Sequence, residues 1–169
     1  MKKRCAGLIG LVISLSWMGA AQAQEAGLSI ELQRLTRAVQ DIRTSEALVD
    51  HILDYCAQSN PAFAPTRNAV RVEWRDRNLR YRVLEPGLRS ELDALAAQEL
   101  QTSAGEIDDV LRDAIGEVTQ AFDDELQDSG HEMRDHVCER FAERIRDGVF
   151  DIGARRPEVK AMLDARLSR

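Results

Sequence analysis

Apolar residues recur every three or four positions from Leu28 to Cys56, and no other feature constrains the fold of this chain so much. Leu28, Leu32, Leu35, Val39 and Ile42 step by four and three. Val49, Leu53 and Cys56 keep that phase, Leu48, Ile52 and Tyr55 add a second row, and Glu46 is the one polar interruption. Side chains at this spacing share one helix face, so the pattern predicts an amphipathic helix from about Leu28 to Gln58. At 1.5 Å per residue it would be ~45 Å long. Thr44-Ser45 resembles a helix start, and a break there is the alternative. The opening part, Leu28 to Ile42, has the spacing of two heptads. It either packs within a bundle or extends beyond it and pairs with a copy of itself, as a homodimer, or with a partner helix.

The segment that follows is the densest in unusual residues. Ser59-Asn60-Pro61 ends the first helix, because proline disfavours helix in the residue before it. Thr66 reads as the N-cap of a second helix, roughly Arg67 to Leu84, which carries Ala69, Val70, Trp74 and Tyr81. Its polar positions hold Arg67, Arg71, Arg75, Arg77, Arg80 and Arg82, against only Glu73 and Asp76. Glu85-Pro86-Gly87 reads as a turn. Leu88, Leu92, Leu95, Ala96 and Leu100 mark a third helix.

Two capping boxes come next. Ser103-Ala-Gly-Glu106 opens a helix with Ile107, Leu111, Ala114, Val118, Phe122 and Leu126 inward. Ser129-Gly-His-Glu132 opens another with Met133, Val137, Cys138, Phe141, Ile145 and Val149 inward. Pro157 suits the first turn of a final short helix through Val159, Met162, Leu163 and Leu167. No stretch alternates with period two, so strands are not expected. The pattern predicts an all-α fold, a compact antiparallel bundle of five or six helices with a long N-terminal helix and one disulfide.

The chain starts with an export-signal pattern. Lys2, Lys3 and Arg4 precede the apolar run Leu8 to Met18, and Ala21-Gln22-Ala23 is a small-x-small cleavage site. The run is too short to span a bilayer, which takes ~20 residues. Residues 1–23 are therefore expected to be removed, leaving 24–169 as a single helical domain in the periplasm or secreted. Cys5 leaves with the leader. Cys56 and Cys138 remain and, in an oxidising compartment, are expected to pair. Closing so long a loop stabilises a fold by up to ~4.5 kcal/mol in the chain-entropy picture. A redox role would favour a C-x-x-C spacing, which is missing.

The formal net charge of the whole chain is −6, and loss of the three leader bases would take it to −9. Such a chain is a poor general binder of nucleic acid or anionic membrane. Charge is also unevenly placed. The basic run Arg67 to Arg82 is followed by Glu91 to Asp128, where twelve acids face Arg112 alone. Either the two regions face each other inside the bundle or are simply solvated faces, or the basic helix is a partner-binding face carried by Arg67, Arg71, Arg75 and Arg82 with Trp74, since guanidinium pairs bidentately with carboxylate or phosphate. Trp74 reads as a core anchor before a stacking platform.

Other chemistry is weakly signalled. His131 and His136 are five apart and do not share a helix face. A metal site from His51, His136 and a nearby carboxylate is conceivable only if the disulfide brings their helices together. There is no G-x-S-x-G, no phosphate-binding glycine loop and no C-x-x-C-H. No cofactor is implied. The expectation is a small exported helical protein, non-catalytic, acting by protein–protein contact as an inhibitor, immunity-type or envelope accessory protein. A helical-bundle metal or small-ligand binder is the alternative.

Overall fold

The computed structural model describes residues 29–101, 103–128 and 134–168. Helix α1 is one unbroken helix, Ile30–Ser59, so the alternative break at Thr44 does not occur. Thr44 stays in the helix by donating its hydroxyl to the Gln40 carbonyl at 2.7 Å. Ser29 caps the start, its Oγ accepting from the Leu32 amide. The heptad stripe Leu32, Leu35, Val39 and Ile42 is buried within the chain's own bundle. Those residues are therefore not offered to a second copy, as the homodimer expectation required, and Leu28 lies outside the described residues.

A 3-10 turn, Pro61–Phe63, links α1 to α2, Ala64–Arg82. The expected cap at Thr66 is corrected. Asn60 caps the 3-10 turn through the Ala62 amide, the turn runs straight into the helix, and Pro65 occupies its first turn, where a missing N–H costs nothing. The expected turn at Glu85-Pro86-Gly87 is also corrected. Helix α3, Glu85–Leu100, begins there with Pro86 in its first turn, and the break falls earlier, at Val83 and Leu84. Helix α4, Ala104–Asp128, opens with the predicted capping box. Ser103 Oγ accepts from the Glu106 amide, and the Glu106 carboxylate reaches back to the Ser103 amide at 2.7 Å. These hydrogen bonds hold the Glu106 carboxyl below the usual range. The second capping box, Ser129 to Glu132, lies outside the described residues, as do His131 and the leader.

Helix α5 is Arg134–Arg146 and helix α6 is Pro157–Leu167. Val149, expected inward, is exposed. For Val149 the reason is local: α5 ends three residues earlier, and Gly148 has a positive φ of 79° that breaks the helical phase. Phe150 and Ile152, in the link after it, are buried instead. Gly153 also has a positive φ, and a Cβ there would lie 2.7 Å from Cβ of Lys160.

Named contacts fix the topology. Arg71, Arg75 and Arg82 of α2 meet Asp54, Asp50 and Glu46 of α1 in descending order. The order continues into α3, where Glu85 meets Arg43 and Glu99 meets the Ser29 amide. Thus α2 and α3 form one line antiparallel to α1, broken near its middle. Helices α5 and α6 form another. Cys138 bonds Cys56, the Gly153 amide meets Asp41, and Arg166 meets Glu31. Helix α4 runs in the sense of α1, with Asp108 at Arg43 and Asp123 at His51. The fold is all-α, and α1 packs against all five other helices. Among the described residues there is no strand, and no helix is long and apolar enough to cross a membrane.

Candidate partner-binding face

The arginines of α2 divide between two edges of the helix. Arg67, Arg71, Arg75 and Arg82 lie along the edge facing α1, where Glu46, Asp50 and Asp54 are spaced four apart. Arg82 reaches Glu46 at 2.7 Å, Arg75 reaches Asp50 at 2.9 Å, and Arg71 lies 2.7 Å from both Asp50 and Asp54. Arg67 stands 3.5 Å from Asp54. Burial alone would lower the Arg71 pKa, but the Asp54 and Asp50 carboxylates outweigh it, and the guanidinium is held above its ordinary value. These four arginines are answered by acids of α1, Arg77 is answered by Asp151 and Arg80 lies nearest Asp164, all outside the acidic segment Glu91 to Asp128. Among the described residues the two regions do not meet in ion pairs, contrary to one of the expectations, because α2 descends α1 on its own edge. The acidic segment instead meets other arginines. Arg89 bonds Asp93 and Asp108, and Arg166 bonds Glu91.

Trp74 is only 1% exposed, and its Nε1 donates to the Phe150 carbonyl at 3.1 Å. It is a core anchor, which removes it from the partner-binding set. Arg77 and Asn78 share its task. Arg77 donates to the Asp151 carboxylate at 2.7 and 2.8 Å and to the Ile145 carbonyl. Asn78, fully buried, accepts from the Ile152 amide and donates to the Trp74 carbonyl and Asp151. With Asp41 of α1 accepting from the Gly153 amide at 2.6 Å, these side chains hold the α5–α6 link against α1 and α2.

The opposite side of α2 is where an open face lies. Val70, Trp74, Asn78 and Tyr81 are buried. Pro65, Ala69, Val72, Asp76, Leu79 and Val83 are all exposed, and they step by four and three along the other side. Val72, Leu79 and Val83 are 58%, 51% and 62% exposed, so three of the eight exposed large apolar side chains among the described residues fall on this one line. That is the spacing of a coiled-coil seam, with one polar position at Asp76. The seam is legible in the sequence as a second apolar phase on the same helix, offset from Val70, Trp74 and Tyr81 and interleaved with the arginines.

The edges of the seam are charged. Arg75 and Arg82 lie on one side, engaged with α1. Glu73 and Arg80 lie on the other. Arg146 of α5 sits 3.2 Å from Glu73. Arg80 is the most exposed of these cations, at 57%. It lies 3.9 Å from Asp164, donates to the Tyr81 hydroxyl at 2.6 Å, and its guanidinium lies over the Tyr81 ring.

The histidine alternative resolves differently. His51 Nε2 lies 2.8 Å from Asp123, and Phe122 stands edge-on to both His51 and Tyr55. The two residues border a shallow groove of about 380 Å³ with Asp54, Gln58 and Gln120. His136 is exposed on α5, two positions before Cys138. Among the described residues no three His, Cys, Asp or Glu side chains gather as metal ligands would. Cys56 and Cys138 form the disulfide.

Compared with protein-family models, curated proteins and solved structures, the chain finds no match.

Proposed function

We propose that this chain is a non-catalytic exported protein that works by protein–protein contact in the periplasm, as an inhibitor, immunity-type or envelope accessory protein. One observation carries the reading: a rigidly held helix presents a heptad-spaced apolar line to solvent. A surface helix ordinarily keeps its outer face polar, and apolar side chains gathered in line mark interaction sites more often than singly scattered ones. The mounting supports it too. The ion pairs to α1, the buried Trp74 and the clasp on the α5–α6 link fix α2 before any partner arrives, which lowers the entropy cost of binding. The leader pattern in residues 1–23 and the Cys56–Cys138 bridge support an oxidising compartment outside the cytoplasm.

The test is site-specific photocross-linking in the intact bacterial envelope, with the probe at Leu79 or, as a control, at exposed Ala121 of α4. The expected result is a discrete adduct from Leu79, absent from Ala121 and lost when Val83 is replaced by Glu. Identical adducts at both positions, or none at Leu79, would overturn the reading. Mass spectrometry of the same material should find a mature chain beginning at Gln24.

A further inference from the structure

Building on that contact reading, we infer that the seam of α2 receives an amphipathic helix of a different protein, one with a basic residue in the middle of its apolar stripe and acids along its edges. The argument begins with Asp76. It occupies the centre of an otherwise apolar line, between Val72 and Leu79. A helix docked there removes water from its carboxylate, and a desolvated charge must be answered by an opposite charge or by hydrogen bonds. An arginine or lysine at the facing core position supplies both. Single polar residues in such seams set register and partner choice at some cost in affinity.

The edges specify the rest. Arg75, Arg80 and Arg82 flank the seam against Glu73 alone. Arg75 and Arg82 already hold Asp50 and Glu46, while Arg80 keeps most of its surface in water. Arg80 is thus the edge cation most open to a newcomer, so glutamate or aspartate at the flanking position of the incoming helix that faces it is attracted and lysine is repelled. At the start of the seam, the short side chains of Pro65 and Ala69 leave room for large ones from the partner. The seam spans most of the 19 residues of α2, a contact of ~28 Å.

A second copy of the chain fits this surface badly. Packed parallel, two α2 helices set Asp76 against Asp76 and Arg75 against Arg80. Packed antiparallel about a twofold beside Trp74, they set Glu73 against Glu73 and Arg75 against Arg75. Like charges confront each other in both arrangements, so the seam selects against self-pairing and for a complementary chain.

Three synthetic helical peptides test this against the purified, disulfide-bonded protein by fluorescence anisotropy. All share a leucine seam. The first has a central Arg and Glu edges, the second a central Asp and Glu edges, the third a central Arg and Lys edges. The first should bind at least tenfold tighter than the others, weakening as salt rises. Asp76→Arg should reverse the order of the first two, and Leu79→Glu or, independently, Val83→Ser should weaken the first. Equal binding of all three, binding of none, or a first-peptide affinity indifferent to Asp76→Arg would overturn the inference. So would light scattering that finds a dimer lost in Leu79→Glu, which would make a second copy the occupant. If a Leu79 cross-link in the envelope survives any of these failures, the contact reading stands and only the partner's chemistry is wrong. Absence of that cross-link removes both.

Discussion

Asp41 sits in the first half of α1 with its carboxylate out of solvent, accepting from the Gly153 amide. Burial is the main influence and raises its pKa above the ordinary carboxylate value; the Gly153 hydrogen bond, Arg156 and Arg155 act the other way, and Glu158 adds to the rise. The sign follows from linkage. A group whose folded pKa exceeds its unfolded one favours the fold below the unfolded value, and that contribution is lost as pH rises through the folded value. Asp41→Asn keeps an acceptor for Gly153 and does not ionise. Its stability relative to the parent should therefore increase as pH rises above about 4, as measured by urea unfolding from pH 3.5 to 7. A flat difference across that range would show that Asp41 does not carry the shift. Asp108 and Asp164 have pKa values lowered first by hydrogen bonds from Arg89 and Lys160, so they oppose Asp41 and lose their contribution as pH falls. None of this was legible in the sequence. Asp41 lies beside the apolar stripe as any edge residue might, and only the arrival of residues 112 positions away makes it interior.

At the scale of elements, the apolar periods that mark α1, α3 and α4 are local signals; they placed α1 and α4 within about two residues and entered α3 at Leu88, three residues after its start. Links were less legible. Pro86 reads as a turn from composition but serves in the first turn of α3, because proline suits both sites. In the sequence Gly148 and Gly153 show only a weakened helix; the order of the α5–α6 link comes from outside it. Trp74, Arg77 and Asn78 of α2 grip its carbonyls, amides and Asp151. Asn78→Ala would leave the Ile152 amide buried without its acceptor and remove two further hydrogen bonds. The expected cost is about 2–4 kcal/mol, seen as a lower urea midpoint with an unchanged slope. A loss under about 0.5 kcal/mol would mean the link is held by packing alone. The partner-binding set was half legible. Its arginines serve α1, and the exposed side of α2 carries small and aliphatic residues that composition does not advertise.

The whole molecule rests on one helix. Because α1 touches every other helix, its ~45 Å serve as a common wall, and the two broken lines, α2–α3 and α5–α6, lie along it. The Cys56–Cys138 bond, 82 residues apart in sequence, ties the far end of that wall to α5. Replacing both cysteines with alanine should cost about 3–4.5 kcal/mol if the unfolded chain is free of residual structure, measured by equilibrium urea unfolding. A change of less than about 1 kcal/mol would place the bridge's value elsewhere.

Both lines break at one height. Arg82 and Glu85 bracket the first break opposite Glu46 and Arg43, and Gly153 marks the second opposite Asp41. Above that height α2, α4 and α5 surround α1, with the disulfide and the Phe122–Phe141 contact. Below it α3 and α6 cover α1 with the aliphatic residues Leu88, Leu92, Val159 and Leu163 and no covalent tie. The consequence is a molecule with two tiers of opening. Under native conditions amide hydrogens in α3 and α6 should exchange with deuterium through a partial opening that leaves α2, α5 and the second half of α1 protected. A binding face carried on α2 would then remain intact while the lower tier breathes, and one common exchange free energy for all six helices would show that no such division exists.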